Sequence, residues 1–449
     1  MNVRDGAPEC TVRSAGAVRP AEGEMLGRPL REWRAAMRAE LGVPAGLVAG
    51  TGHQVEWWHP GIVAKFMWAD AIAGRDGAAV LWLVVDTDVR DPRELRIPVE
   101  TQGSLQAVTH RFGPRAAQGT PACRRDAHAP APLETLRGVA VPCSAAAGAR
   151  TAHDALLANA DAADCTEQVI GALRGTIPAI GAPACTVRTS ALLQTALGAE
   201  IVSRAAADPA GCARAFNDAV RLVPRVAQPL AEDGPLGAEL PFWTMAADGT
   251  RARVRARELP ALRERSAPLW PRAFLTSAIA RAALCDRFVH GTGGGTYERA
   301  TEAFAASWLG ATLPAFDMAT ATLRLPFAPD DGPPPVTPEE RRARWFDPES
   351  AHGAMSERKR AALEAIARAP RASAERRAAW RAMHEELART RNAHACDFME
   401  LDARTAADRE RARAALLRAD RTWAAVLHPQ ESLVRLAEAM RAQAQTRDA

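Results

Sequence analysis

Gly46-Leu-Val-Ala-Gly-Thr-Gly-His-Gln-Val-Glu-Trp-Trp-His-Pro-Gly-Ile-Val-Ala-Lys65 decides how the chain folds. Gly46–Thr51 is apolar and ends in a glycine turn, the pattern of a buried strand. Pro60-Gly61 then opens a segment in which Ile62, Phe66, Ala69 and Ala73 recur at helical spacing. Ala78–Val85 is a second short apolar run, as expected of a strand covered on both faces. Strand, helix and strand within about forty residues predict a βαβ unit and hence a parallel, Rossmann-like sheet.

Outward from this unit, residues 1–28 read as a polar leader and Glu32–Leu41 as a helix. Residues 100–150 are rich in Pro, Ala and Gly and weakly patterned, as an insertion or a loop would be. Helical spacing runs from His153 to about Glu232. Leu240–Met245 and Arg251–Arg257 suit a hairpin, because Ala247-Asp-Gly-Thr250 supplies turn chemistry. Ala278–Leu284 reads as helix, Arg287–His290 as a short strand and Tyr297–Trp308 as helix. The α/β core is therefore expected over 29–328, with a proline-rich linker at 329–338. Residues 339–449 turn to Ala, Arg and Glu. Trp380, Met383 and Leu387, then Ala412, Leu416, Ala419 and Trp423, form stripes that predict two long helices folded on each other or against a partner subunit.

Of 449 residues, 47% are hydrophobic, enough for a sizeable core. The net charge of +4 comes from interspersed Arg and Asp/Glu, which gives no footprint for nucleic acid. No apolar run reaches the roughly 18 residues of a membrane span. The eight cysteines form no CxxC pair, and Met1–Gly23 has no apolar signal core, which points to a reducing, cytoplasmic setting.

Gly52–Lys65 carries the densest chemistry. Ligands of open parallel sheets bind at the carboxyl ends of strands, and a helix start there attracts anions. Gly52 and Gly61 allow close approach of backbone, His53 and His59 can stabilise charge, Gln54 can read a hydroxyl or amide, and Lys65 adds a cation. Asp86 and Asp88 end the next strand; they suit a metal or sugar hydroxyls, or one of them caps the turn at Asp91-Pro92. His290-Gly-Thr-Gly-Gly-Gly-Thr-Tyr297 places Gly291, Gly293 and Gly294 before a helix, where glycines cradle anions, and holds the only tyrosine. The spacing is neither that of a phosphate-binding P-loop nor GxGxxG. No Ser/His/Asp arrangement stands out, and the remaining histidines lack metal-ligand spacing.

Gly52-His-Gln, His59-Pro-Gly and Lys65, the strand into Asp86-Thr-Asp88, Phe288–Tyr297 and Leu427-His-Pro-Gln-Glu431 together resemble the ordered motifs of the cysteine-adding enzymes of bacillithiol synthesis (BshC-like). The resemblance runs from about residue 46 to 436. It implies a Rossmann-like core, a coiled-coil hairpin that forms a homodimer, and a ligase that joins cysteine or a similar amino acid to an amine-bearing, sugar-derived acceptor. Under it, His53, Lys65, Asp86 and Asp88 are the catalytic candidates, and Gly52, Gln54, His59, Gly61, His290, Gly291, Gly293, Gly294 and Tyr297 bind substrate or nucleotide. An adenine nucleotide is a candidate cofactor, no metal ligand is assigned, and the base that deprotonates the amine is not identified. The chain departs from the family at Val55, where proline is usual, and in Asp-Thr-Asp for Glu-Asp-His-Asp. The residues also leave open a non-catalytic metabolite-binding protein and a metal-dependent glycosyltransferase built on Asp86 and Asp88.

Overall fold

Strands β1 (Glu9–Arg13), β2 (Val48–Gln54), β3 (Ala79–Val85), β4 (Cys185–Arg188), β5 (Arg287–His290) and β6 (Phe316–Thr322) form one sheet in the order β1-β6-β5-β2-β3-β4. All neighbours run parallel except β1, which pairs antiparallel with β6. The protein is thus mixed α/β with a mostly parallel six-stranded sheet, seen here in a computed structural model that describes residues 8–20, 22–133, 139–272, 274–328, 336–346 and 357–446. Residues 1–7 of the expected leader and 329–335 of the expected linker lie outside the described residues.

Two compact units emerge. One comprises residues 1–101, 107–327 and 420–449; the other comprises 102–106 and 328–419. This differs from the sequence boundaries at both ends. The leader contributes β1 to the sheet, and the C-terminal helix α7 (Gln430–Thr446) belongs with the α/β unit rather than with the helices before it.

Helix α2 (Pro60–Asp76) links β2 to β3 and makes the predicted βαβ unit. Its start is set by Pro60 at the first helical position, where the missing N–H costs nothing, and by the His59 ring, which accepts a hydrogen bond from Gly61 N at 3.1 Å. Its end is set by Gly77, which takes the left-handed conformation at φ 67°. The helix is apolar almost all round because the sheet covers one side and α7 another. Trp58, Phe66 and Trp82 pack ring on ring beside it.

Two buried carboxylates tie the sheet together. Asp286, just before β5, receives Arg34 and Arg38 from helix α1 (Leu30–Glu40) at 2.7 and 2.8 Å, and Val48 N at 2.8 Å. Asp317 in β6 receives Arg287 Nη1 at 2.7 Å, Trp68 Nε1 at 2.7 Å, Ala15 N at 2.9 Å and Ser14 Oγ at 3.3 Å. One side chain therefore joins the N-terminal segment, α2, β5 and β6.

The weakly patterned stretch 100–150 takes in the end of the strand Glu94–Thr101 and the whole of the strand Ser104–Arg111. The hairpin Glu239–Met245 with Arg251–Arg255 forms as predicted. Helix α3 (Thr292–Phe304) follows β5 directly.

In the second unit, α4 (Glu357–Arg368) packs on α5 (Ala374–Ala393) around Ile366, Met383 and Leu387, and α6 (Ala395–Ala419) follows. The expected stripes hold only in part. Trp380 is half exposed, Leu416 is exposed, and Trp423 is buried in the α/β unit with the Arg96 guanidinium 4.2 Å from its ring centre. Among the described residues, no helix is long and apolar enough to cross a membrane.

Candidate functional site

A cavity of about 520 Å³ opens at the carboxyl ends of β2 and β5, between the starts of α2 and α3. Gly52, His53, Gln54, His59, Gly61 and Lys65 line one side; His290, Gly291, Gly293, Gly294 and Tyr297 line the other. The parallel order explains the meeting, because β2 and β5 are neighbours and both chains leave the sheet at the same edge.

Lys65 is the most unusual group. It is buried, and its Nζ donates to the Gly52 carbonyl at 2.8 Å. Burial lowers its pKa to about 7, with Glu56 opposing the shift only in part. Burial also keeps His53 well below its ordinary value, with the charge of Lys65 adding to the effect. His59 is lowered to about 4 by burial, then by Arg421 and Lys65. Tyr297 is raised well above its usual range by burial and by Glu298. The cavity near neutral pH therefore presents neutral imidazoles and a neutral phenol around a lysine poised between its two forms.

The start of α3 adds donors. Gly291 caps the helix without a side-chain partner, so the first backbone N–H groups are not covered by a capping group. A bound anion would meet them at the positive end of the helix.

Gly52 has a further reason to be glycine. A Cβ there would sit 2.6 Å from the Leu83 carbonyl oxygen and 2.9 Å from Leu83 Cβ, in the adjoining strand. Neither can yield without parting β2 from β3. Gly52→Ala is expected to cost about 2–3 kcal/mol of stability in urea unfolding. A loss under about 1 kcal/mol would show that the strands absorb the methyl group.

Asp86 and Asp88 are corrected. Neither lines the cavity. Asp86 is fully buried, and its oxygens accept from Thr189 Oγ1 and Ser190 N, both at 2.9 Å, and from the Ser190 hydroxyl. Burial raises its pKa against those hydrogen bonds. Asp86 anchors the turn after β4. Asp88 accepts from Val89 N at 2.6 Å, a local turn bond. Among the described residues, no group of three or more His, Cys, Asp or Glu could hold a metal ion.

The structure adds residues that no sequence motif marked. Thr276 and Ser277 enter from the helix Phe274–Ile279, Thr320 from β6, and Arg421 from the segment before α7. Glu298, behind the glycine run, places Oε1 3.0 Å from His290 Nε2. Arg421 lies 356 residues beyond Lys65 and has no local signature. No protein-family model matches the chain, and no curated protein is significantly similar to it.

Proposed function

We propose that this cavity is the site of a ligase-type enzyme that joins an amino acid, cysteine or similar, to an amine-bearing, sugar-derived small molecule. The observation that carries the reading is the buried Lys65 beside the uncapped start of α3, a pairing that suits an activated carboxyl or a phosphate. His53 and His59 offer donors to developing charge, and Arg421 adds a fixed cation at the rim. The ordered motifs of the bacillithiol cysteine-adding family supply the reaction class. The same reading includes a Rossmann-like identity for the sheet, a coiled-coil hairpin that forms a homodimer, an adenine nucleotide as cofactor and a cytoplasmic setting.

A metal-dependent glycosyltransferase built on Asp86 and Asp88 is disfavoured, because the oxygens of Asp86 are taken by Thr189 and Ser190. A non-catalytic metabolite-binding protein would use the same cavity, and turnover separates the two. Thermal shift against ATP, cysteine, glucosaminyl-malate and nucleotide-sugars with and without Mg²⁺ tests the assignment. A ligand at a hundred times its Kd should stabilise the fold by about 2.7 kcal/mol, a shift of several degrees. ATP or glucosaminyl-malate should raise Tm, and amide product should follow when all three substrates are mixed. Stabilisation by nucleotide-sugar and Mg²⁺ alone would overturn the ligase reading.

A further inference from the structure

We infer that His290 is the proton acceptor of the cavity and that Glu298 is the residue that positions it. The inference rests on the ligand-site reading above and supplies the base that the sequence leaves unassigned.

His290 ends β5 at the cavity wall, and its two ring nitrogens sit in different surroundings. Nε2 is shut away from solvent, 3.0 Å from Glu298 Oε1. The distance is that of a hydrogen bond, but the ring N–H is not well aligned along it, so in the free protein the neutral ring lies against the carboxylate without a formed hydrogen bond. Catalytic hydrogen bonds often tighten only when a ligand binds. Nδ1 has no hydrogen-bond partner among the described residues and is not among the shut-away atoms, which leaves it open on the cavity side. Gly294 keeps it so: a Cβ at that position would lie 2.7 Å from Nδ1 and cover it.

Glu298 is fixed from behind. It is fully buried, and its second oxygen is held by Arg281, which also reaches Glu302 at 2.9 Å and the Pro314 carbonyl. Burial pushes the Glu298 carboxyl up, but His290 and Arg281 outweigh it and hold it below the usual range. An acceptor held this way selects the tautomer with the proton on Nε2, leaving the Nδ1 lone pair facing the cavity. The transfer balances simply. An N–H bond of the ligand's ammonium or reacting amine breaks, an Nδ1–H bond forms, and the imidazolium charge rests against the Glu298 carboxylate.

His53 is the rival, with Nδ1 3.3 Å from Glu56 Oε1. Its carboxylate is a poorer support. Glu56 is partly exposed, is shared with Arg90 at 3.5 Å, and has its own carboxyl raised by burial. The groups that bear on His290 are Glu298 and Tyr297 of α3, Arg281 after the helix Phe274–Ile279, Lys65 of α2 and His53 of β2. Burial, the largest influence, holds His290 below its ordinary value, and Lys65 and Arg281 act the same way; of the neighbouring groups only Glu298 favours the protonated form.

Nitrogen-15 spectroscopy of histidine-labelled full-length protein, with His290→Asn to assign the signals, reads the tautomer directly. The expected result is a protonated Nε2 and a bare Nδ1. In Glu298→Gln the protonation midpoint of His290 should fall by at least about one pH unit. A proton on Nδ1 in the wild type, or an unchanged midpoint in a folded Glu298→Gln protein, overturns the inference; the wild-type tautomer decides the matter if that variant does not fold. Binding of inorganic phosphate to wild type and to Lys65→Met tests the site reading separately. Equal phosphate affinity in both would sink that reading without touching the tautomer.

Discussion

Lys65→Met should remove anion binding from the cavity and at the same time make the free protein more stable. Lys65 carries a pKa lowered from 10.5 to about 7 by burial, and its ammonium donates to the neutral Gly52 carbonyl. The sign follows from linkage. The unfolded lysine holds its proton up to about pH 10.5, whereas the folded one releases it near 7. Between those values the unfolded state binds more protons, so the lysine's penalty falls as pH rises through the window and is fully present below pH 7. Methionine fills similar volume without charge, so the variant should gain a few kcal/mol at pH 6 and little at pH 10. Binding moves the other way. An anion beside Lys65 restores its ordinary pKa, so binding near pH 8 must take up a proton, and affinity must weaken as pH climbs above 7. Calorimetry of inorganic phosphate in two buffers of different ionisation enthalpy measures that uptake, and urea unfolding at the two pH values measures the stability. We expect at least a hundredfold loss of phosphate affinity in the variant, about 3 kcal/mol. A variant that binds normally, or one destabilised at pH 6, would show that the ammonium is structural.

The second large effect is at Asp317. Removing its carboxylate leaves Arg287 buried without its ion pair and strips partners from Trp68 Nε1, Ala15 N and Ser14 Oγ. Breaking a buried pair from one side costs roughly 3–5 kcal/mol. Asp317→Ala should lose that much in urea unfolding, and β1 should lose hydrogen-exchange protection before the central strands do. Asp317→Asn keeps the shape and should lose less. If Asp317→Ala stays within about 1 kcal/mol of wild type, the carboxylate is a passenger in the sheet.

The parts of this molecule that were legible in the sequence share one property: their signal is local. β2, α2 and β3 announce themselves because a buried parallel strand is an unbroken apolar run and Pro60-Gly61 marks the helix start. The residues facing the cavity from Gly52–Lys65 and His290–Tyr297 follow from being at strand ends. What escaped was decided at long range. β4 is four residues, Cys-Thr-Val-Arg, too short to show a period. β1 exists because β6, some 300 residues on, offers it an edge. Asp86 looked like a ligand because nothing nearby shows that Thr189 and Ser190 will claim its oxygens. Trp380 sits in a regular stripe and is still half exposed, while Trp423, placed on the same pattern, is buried elsewhere. Spacing tells which residues share a helix face, and not what covers that face.

Arg421 and α7 give the site a place in time as well as in space. A ribosome adds about 5–20 residues per second, so Arg421 emerges some tens of seconds after Lys65. Until then the cavity lacks its rim cation, and the outer face of α2 lacks the helix that covers it. A chain that ends before residue 430 lacks the helix that covers the apolar outer side of α2, so α2 completes its burial only when the last part of the chain has folded.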